Sequence, residues 1–361
     1  MSINAQLRDS VRLPGGRALV NGFALESRGD GSCRALLRNG HALEVYDLLR
    51  ELFAGERAPT VVLPLPWPRW DGGVHSVSPD GTFAVFSGQR SVRAMGRGGK
   101  TLWVYRHDCW GPEVGHPHTG DEQEVCRGSE HGSCRVSDDG RFVWAHVVVE
   151  PEPGGWEERW VVLDARDGRE LAWLPLTDSA AAGSNHLSHP DGVHMGLSIG
   201  MGQDGILLHW ARWDGEKLTG WDVNESLDRI LADVHAGHPG FLTVEHYGAD
   251  LRLHALDGTV IAERGQPEPA EGEEETYWDY GCGFVDADTV IASTADSDRY
   301  PERARHWLLD AHTLRTRGVV AYPTGSVDGD ARPLGDGTWL TYDDRSETLN
   351  RWAQTAAPRT R

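Results

Sequence analysis

Along the chain, runs of alternating apolar and polar residues are cut by polar turns at regular intervals. Three of the turns share one setting: "HSVSPDGTFAVFS" (75–87), "SCRVSDDGRFVWAHV" (133–147) and "NHLSHPDGVHMGLSI" (185–199). Weaker copies follow in "ADVHAGHPGFLTVEH" (232–246), "CGFVDADTVIAST" (282–294) and "ARPLGDGTWLTYD" (331–343), about 48 to 59 residues apart. A second ladder of turns lies between these, in "VVLDARDGRELAWLPL", "LLHWARWDGEKLTGW", "LRLHALDGTVIAE" and "HWLLDAHTLRTRGVV". Asp-Gly supplies the positive φ angles of tight hairpins, and period-2 alternation marks half-buried strands. Each unit therefore predicts four antiparallel strands.

One such sheet cannot cover both of its own faces, so the units must pack side by side, as the blades of a β-propeller do. The spacing of the turns is that of propeller blades. Fifteen tryptophans suit the space between blades, and Trp103, Trp144, Trp160, Trp173, Trp210, Trp307 and Trp339 sit in the strand runs. "VVLPLPW" (61–67) precedes the first turn as "LAWLPL" precedes the third, which places one more blade upstream. The expectation is an all-β chain forming a single β-propeller domain over 1–361, with seven blades and six as the alternative. The last unit lacks a fourth strand, and "GRALVNGFAL" near the start is expected to supply it and close the ring. Residues 1–14 and 356–361 are read as flexible termini. Val45, Leu48, Leu49, Leu52 and Phe53 fall at helical spacing, so 41–56 is expected as a helical insertion, with a strand over "ALEVYDL" as the other reading.

The Ser-Pro-Asp-Gly turns resemble those of WD-repeat-like and related bacterial β-propellers, across residues 15–355. Gly-His and Trp-Asp pairs do not recur regularly from unit to unit, and Trp213-Asp214 is one scattered match. The resemblance implies the fold and leaves the activity open.

Charge narrows the partners. The net charge is −20, from 55 acidic and 35 basic residues, which leaves no surplus of cations to neutralise phosphates and argues against nucleic acid. Lysine is confined to Lys100 and Lys217, neither beside an activating group, so Schiff-base chemistry is set aside. No stretch approaches the roughly 18 apolar residues of a membrane span, and no apolar leader is visible, so a cytoplasmic monomer is expected. Five cysteines fit reduced thiols or metal ligands better than a disulfide framework.

Candidate chemistry falls in three places. Histidines just before the first turn of each unit, His75, His131, His186 and His235, are expected to face the central channel, where they could act as catalytic bases or hold a metal ion. The segment 106–134 is a long Cys/His-rich loop in which Cys109, Cys126, Cys134, His116, His118 and His131 are candidate ligands for one divalent metal, zinc being favoured. It has no Cys-x-x-Cys knuckle to fix two thiolates on one turn. Third, "EPAEGEEETYWDYGCG" (268–283) joins an acidic run to Tyr277, Trp278 and Tyr280, a candidate rim for a cationic ligand or partner segment.

No Gly-x-Ser-x-Gly elbow, phosphate loop or His-Glu-x-x-His occurs. The reading that needs least is a protein- or peptide-binding module acting through an acidic top face. The alternative is a metal-dependent lyase or hydrolase in the central funnel. A redox sensor built on exposed thiols is the third.

Overall fold

The structure is a computed structural model that describes residues 2–12, 23–27, 32–56, 58–67, 74–110, 131–152, 155–176, 183–202, 205–224, 228–268, 276–295, 305–323, 327, 329–343 and 346–355. The chain begins with β1 (Ser2–Arg12), β2 (Phe23–Ser27), β3 (Cys33–Asn39), β4 (Ala42–Asp47), a helical turn at Leu48–Leu52 and β5 (Val61–Pro64). Strands β2 to β5 form a four-stranded sheet in chain order. The same sheet recurs as β6 (His75–Val77), β7 (Phe83–Ser87), β8 (Ser91–Gly96) and β9 (Thr101–Arg106), then as β10 (Cys134–Val136), β11 (Phe142–Val149), β12 (Glu157–Asp164) and β13 (Glu170–Leu176). Next come β14 (Ser184–Ser188), β15 (His194–Gly200), β16 (Ile206–Trp213) and β17 (Leu218–Asp222), followed by β18 (Arg229–Val234), β19 (Gly240–Glu245), β20 (Asp250–Ala255) and β21 (Val260–Gly265). The remaining strands are β22 (Tyr277–Asp286), β23 (Thr289–Ala295), β24 (His306–Asp310), β25 (Thr316–Ala321), β26 (Arg332–Pro333), β27 (Thr338–Asp343) and β28 (Thr348–Gln354). They join β1 in an eight-stranded sheet of order β22-β23-β24-β25-β1-β28-β27-β26.

Two expectations for the first 60 residues are corrected. The strand that completes the last group is β1, not "GRALVNGFAL". It runs antiparallel to β28 from Ala5↔Gln354 to Arg12↔Thr348, and parallel to β25 at Ser2↔Val319. Residues 2–12, read as a flexible terminus, are thus ordered sheet. The sequence hid this strand because Ala5 is its one buried side chain. Phe23–Ser27 instead begins the first sheet. Likewise, Ala42–Asp47 of the expected helix is strand: Leu43 and Val45 alternate into the core and pair with Leu63 and Val61. The helical spacing arose because this strand runs directly into the short helical turn. Asp47 accepts the Arg50 N–H at 2.8 Å while Glu51 accepts the Asp47 N–H at 3.0 Å, a reciprocal cap.

The repeated turns follow one local design. In the first, Ser78 donates to Asp80 at 2.7 Å, the Asp80 carboxylate accepts the Thr82 N–H at 3.0 Å, and the Ser78 hydroxyl accepts the Phe83 N–H at 3.1 Å. Ser137, Asp139, Arg141 and Phe142 repeat it. Gly81 and Gly140 lie at φ +66° and +73°, a left-handed conformation that side chains disfavour.

The chain divides into two compact units: 1–34 with 47–58 and 229–361, and 35–46 with 59–228. In the second unit, apolar residues of β7–β9 meet those of β10–β12, and Trp144, Trp160 and Leu176 meet Met195, Leu197, Ala211 and Trp213. In the first unit, Leu242, Val244 and Leu251 pack on Trp278, Phe284 and Leu309, while Ala5 joins Val320, Trp339 and Trp352. Each fully buried tryptophan removes about 150–250 Å² from water, an upper estimate of roughly 4–6 kcal/mol. Trp173 departs from the expected core role: it is 41% exposed, with the Arg159 guanidinium 4.1 Å above its ring.

The register of β1 makes a direct test. Ala5→Asp places an unpaired carboxylate against Trp339 and Trp352 and should cost about 3 kcal/mol or more in denaturant unfolding, whereas Leu7→Asp, at an exposed position, should stay within about 0.5 kcal/mol. Equal effects would place β1 elsewhere.

Candidate functional site

In the second unit, β11, β12, β14 and Ser133, just before β10, bring polar side chains into one buried chain of hydrogen bonds. The Trp160 indole donates to His186 Nε2 at 2.9 Å, so that nitrogen is the acceptor. Burial, aided by His146 and Arg135, holds His186 well below the ordinary imidazole range, so the neutral ring carries its proton on Nδ1. Nδ1 donates to Ser133 Oγ at 2.7 Å, and Ser133 Oγ lies 2.7 Å from Ser184 Oγ. Ser184 Oγ is 2.9 Å from His146 Nδ1, and His146 Nε2 is 2.7 Å from Glu158 Oε2. One proton order satisfies every member: Trp160 to His186 to Ser133 to Ser184 to His146 to Glu158.

Ser184, His146 and Glu158 have the residue types of a nucleophilic triad. Their setting differs. Ser184 is 2% exposed, His146 0% and Glu158 1%, and both serine hydroxyls are bonded on two sides. A triad must present its oxygen to an acyl group. This arrangement instead satisfies polar atoms that burying Trp160 brought inward.

The sequence-derived candidates are scattered through this frame. Of the four channel histidines, His75, His131 and His186 belong to the second unit and His235 to the first. His186 is locked as above. His131 Nδ1 lies 3.2 Å from the Gly132 carbonyl, and its ring rests against Gly183, where a Cβ would come within 2.6 Å. His75 stands 6.3 Å from the Phe86 ring, centre to centre. His235 Nδ1 accepts the Gly237 N–H at 3.0 Å, and its Nε2 donates to the Gly335 carbonyl at 2.9 Å. Of the loop ligands, His116, His118 and Cys126 lie outside the described residues. Cys109 is half-buried, and Cys134 is buried with Sγ 3.4 Å from the Val74 carbonyl.

The redox reading needs a thiol whose ionisation is eased. That reading rests on Cys109, beside His107, and Cys134, near His131 and Arg135, of which Cys134 is buried; Cys282, outside it, has its thiol pushed up by burial, with Asp233, Asp330 and Asp279 nearby. Asp233 itself accepts the Phe284 N–H at 2.8 Å and is raised by burial to about 7.

Of the aromatic rim, Tyr280 is 48% exposed, Tyr277 is half-buried, and Trp278 is core, 1% exposed and donating to the Gly265 carbonyl at 3.0 Å. The structure adds two neighbours that the sequence reading missed. The His246 ring stacks on Tyr280 with centroids 5.9 Å apart, Tyr280 donates to the His246 carbonyl at 2.9 Å, and Tyr247 is 68% exposed. A second missed group is His189, Asp191 and His194, whose ligand atoms all lie within 4.8 Å of one another and could hold a metal ion. Its signal was present as His-x-Asp-x-x-His inside the third repeated turn.

No protein-family model matches the sequence, and no curated protein matches it significantly. Solved structures do resemble the fold. The Cps50 (Swd1) β-propeller domain of Myceliophteria thermophila is similar with a TM-score of 0.54 at 10% identity, over 97% of this chain and 100% of that one. Prolyl oligopeptidase B from Galerina marginata gives 0.56 at 12% identity over 94% of this chain, and a prolyl endopeptidase gives 0.54 at 13% identity over 94%. The chain spans half the length of each peptidase. These likenesses define the class: an all-β, propeller-like chain.

Two expectations follow from the buried imidazoles. Ser133→Ala and Ser184→Ala should each cost about 1–3 kcal/mol in unfolding experiments, and the double variant less than their sum, because either change breaks the same chain. Independent, additive losses would mean the network is not continuous. In the first unit His306 donates from Nε2 to the Gly329 carbonyl at 2.9 Å and accepts the Tyr322 hydroxyl at 2.6 Å, and burial lowers it to about 4. His254 and His107 are likewise lowered to about 4 by burial. Unfolded, these rings take up protons near pH 6.5, so stability should hold above that value and fall as pH drops from about 6.5 to about 4. Melting temperatures across that range check this, and His306→Gln should flatten the decline.

Proposed function

We propose that this chain is a binding module that docks a protein or peptide on its surface. The observation that carries the reading is the exposed aromatic group of Tyr247, His246 and Tyr280, which offers flat, partly wet ring surface of the kind found at interface hot spots. The likeness to the Cps50 (Swd1) β-propeller domain supports the fold, and a binding role for that fold is an analogy at the level of the fold. The chain's net charge of −20 favours a cationic partner segment. The five four-stranded sheets, with the eight-stranded one counted as two groups of four joined through β1, support seven blades. The acidic net charge, with only two lysines, weighs against nucleic acid as the partner, and a cytoplasmic setting is part of this reading.

The alternative, a metal-assisted lyase or hydrolase, draws less support. Two of its four candidate rings, His186 and His235, have both nitrogens engaged inside the protein.

The test is affinity capture at about 150 mM salt with wild type and with Tyr247→Ala/Tyr280→Ala, followed by titration of whatever the wild type recovers. Binding should weaken by about 30-fold in the double variant, the loss that marks a hot spot. A partner held equally by both proteins, or none held by the wild type, would overturn the proposal.

A further inference from the structure

The third repeated turn is built from different atoms than its sisters. Ser78-Pro79-Asp80-Gly81-Thr82-Phe83 and Ser137-Asp138-Asp139-Gly140-Arg141-Phe142 correspond to His189-Pro190-Asp191-Gly192-Val193-His194. The backbone is the same in all three: the first residue's N–H donates to the sixth residue's carbonyl, and the glycine N–H to the first residue's carbonyl. Gly192 keeps the left-handed φ, +73°. The fifth residue also differs, since Thr82 and Arg141 bond the aspartate through their side chains and Val193 does not, and the side chains at the first and sixth positions have both become imidazoles.

The replacement brings nitrogen to a carboxylate from two sides. His189 Nδ1 is 3.1 Å from Asp191 Oδ1, and His194 Nδ1 is 2.7 Å from Asp191 Oδ2. In the sister turns the serine hydroxyl both donates to the carboxylate and accepts a backbone N–H. An imidazole nitrogen cannot do both. Yet His189 Nδ1 faces the Asp191 N–H at 3.2 Å as well as the carboxylate, so one of these contacts is unsatisfied in either neutral tautomer. The other nitrogen, Nε2, is buried with no hydrogen-bond partner, in a residue that is 5% exposed.

The surroundings orient the rings. His194 stacks on Trp210 at 5.8 Å and 14° and on Trp221 at 6.1 Å and 25°, while His189 meets His194 edge-on at 5.9 Å. The Val193 and His194 N–H groups, each 3.0 Å from Oδ1, fix the carboxylate. Asp191 is exposed, so solvent reaches the group from one side. Zinc bonds of about 2.0–2.2 Å set tetrahedral ligands about 3.3 Å apart, which the present spacings approach with small rotations.

We propose that His189, Asp191 and His194 bind one divalent transition-metal ion, of the zinc class, through two imidazole nitrogens and a carboxylate oxygen, with water completing the shell. Imidazole with carboxylate selects such ions over calcium or magnesium, which prefer all-oxygen shells. The cation replaces the donor conflict at His189 Nδ1 with a bond to its lone pair. The site clamps the β14–β15 hairpin.

The sister turns supply the variant. His189→Ser/His194→Phe restores the side chains found at Ser78 and Phe83, so the turn should still close. Full-length protein, stripped with a chelator and dialysed against zinc chloride, is assayed by elemental mass spectrometry, with melting temperature recorded with and without zinc. Wild type should bind one zinc more than the double variant, and zinc should raise the melting temperature of the wild type alone. The single variant His189→Ser, which keeps two ligands, should bind that ion on the order of 100-fold more weakly. If the double variant does not fold, His189→Ser gives the same reading. Equal zinc content and affinity in wild type and variant, or no zinc bound by the wild type, would overturn the proposal.

Discussion

A four-stranded sheet has two faces to cover and cannot cover them itself. That constraint accounts for most of what the chain looks like. Residues of successive strands must be apolar on both sides, and the space between neighbouring sheets must be filled by something large. Tryptophan fills it here, with Trp144 against Trp160 at 5.1 Å and Trp110 edge-on to His146 at 4.9 Å. But tryptophan carries an N–H into the interior, and a buried donor without an acceptor costs free energy comparable to a lost hydrogen bond. The chain from Trp160 through His186, Ser133, Ser184 and His146 to Glu158 is the consequence. It ends on a carboxylate because each link must pass a proton to the next acceptor, and only an acceptor-only group can close the sequence.

The same accounting recurs in the first unit with other residues. Trp339 donates to Tyr322 at 2.8 Å, Tyr322 to His306, and His306 to the Gly329 carbonyl. Histidine is the joint in both chains because its neutral ring offers one donor and one acceptor on opposite sides. This accounts for the interior places of His146, His186 and His306, each with both nitrogens engaged. A ring already spending both nitrogens on its neighbours has none left for a substrate or a metal.

The fold was legible because its signals are local. The Asp-Gly turns and the alternating strands are written in consecutive residues, and the structure shows the hairpins where the repeats put them, as at Ser78–Phe83 and Ser137–Phe142. What failed was what depends on distant pairing. Strand β1 has one buried side chain and owes its place to β28, more than 300 residues away, so no pattern within Ser2–Arg12 could reveal it. Val45 and Leu48 look helical because a strand and a helical turn abut. The polar network was invisible for the same reason: Ser133 and His186 are 53 residues apart and adjacent only across two sheets. Trp278 and Tyr280 stand two apart in the sequence, yet one is core and the other rim, a distinction that strand alternation combined with a bulge between Trp278 and Cys282 decides.

Repetition also exposes what is particular. When three turns share a backbone and differ in side chains, the backbone is explained by folding and the difference is not. Serine and phenylalanine at the first and sixth positions, with a polar fifth residue on the aspartate, accompany the turn in two copies. Two histidines at those flanks bring in a buried nitrogen without a partner and two contacts at one nitrogen that no neutral tautomer satisfies together, which the serine version avoids. A repeat therefore carries its own control: the copy that stands apart is the one whose side chains leave a conflict that its sisters do not have, and here that conflict lies at His189 Nδ1 beside Asp191.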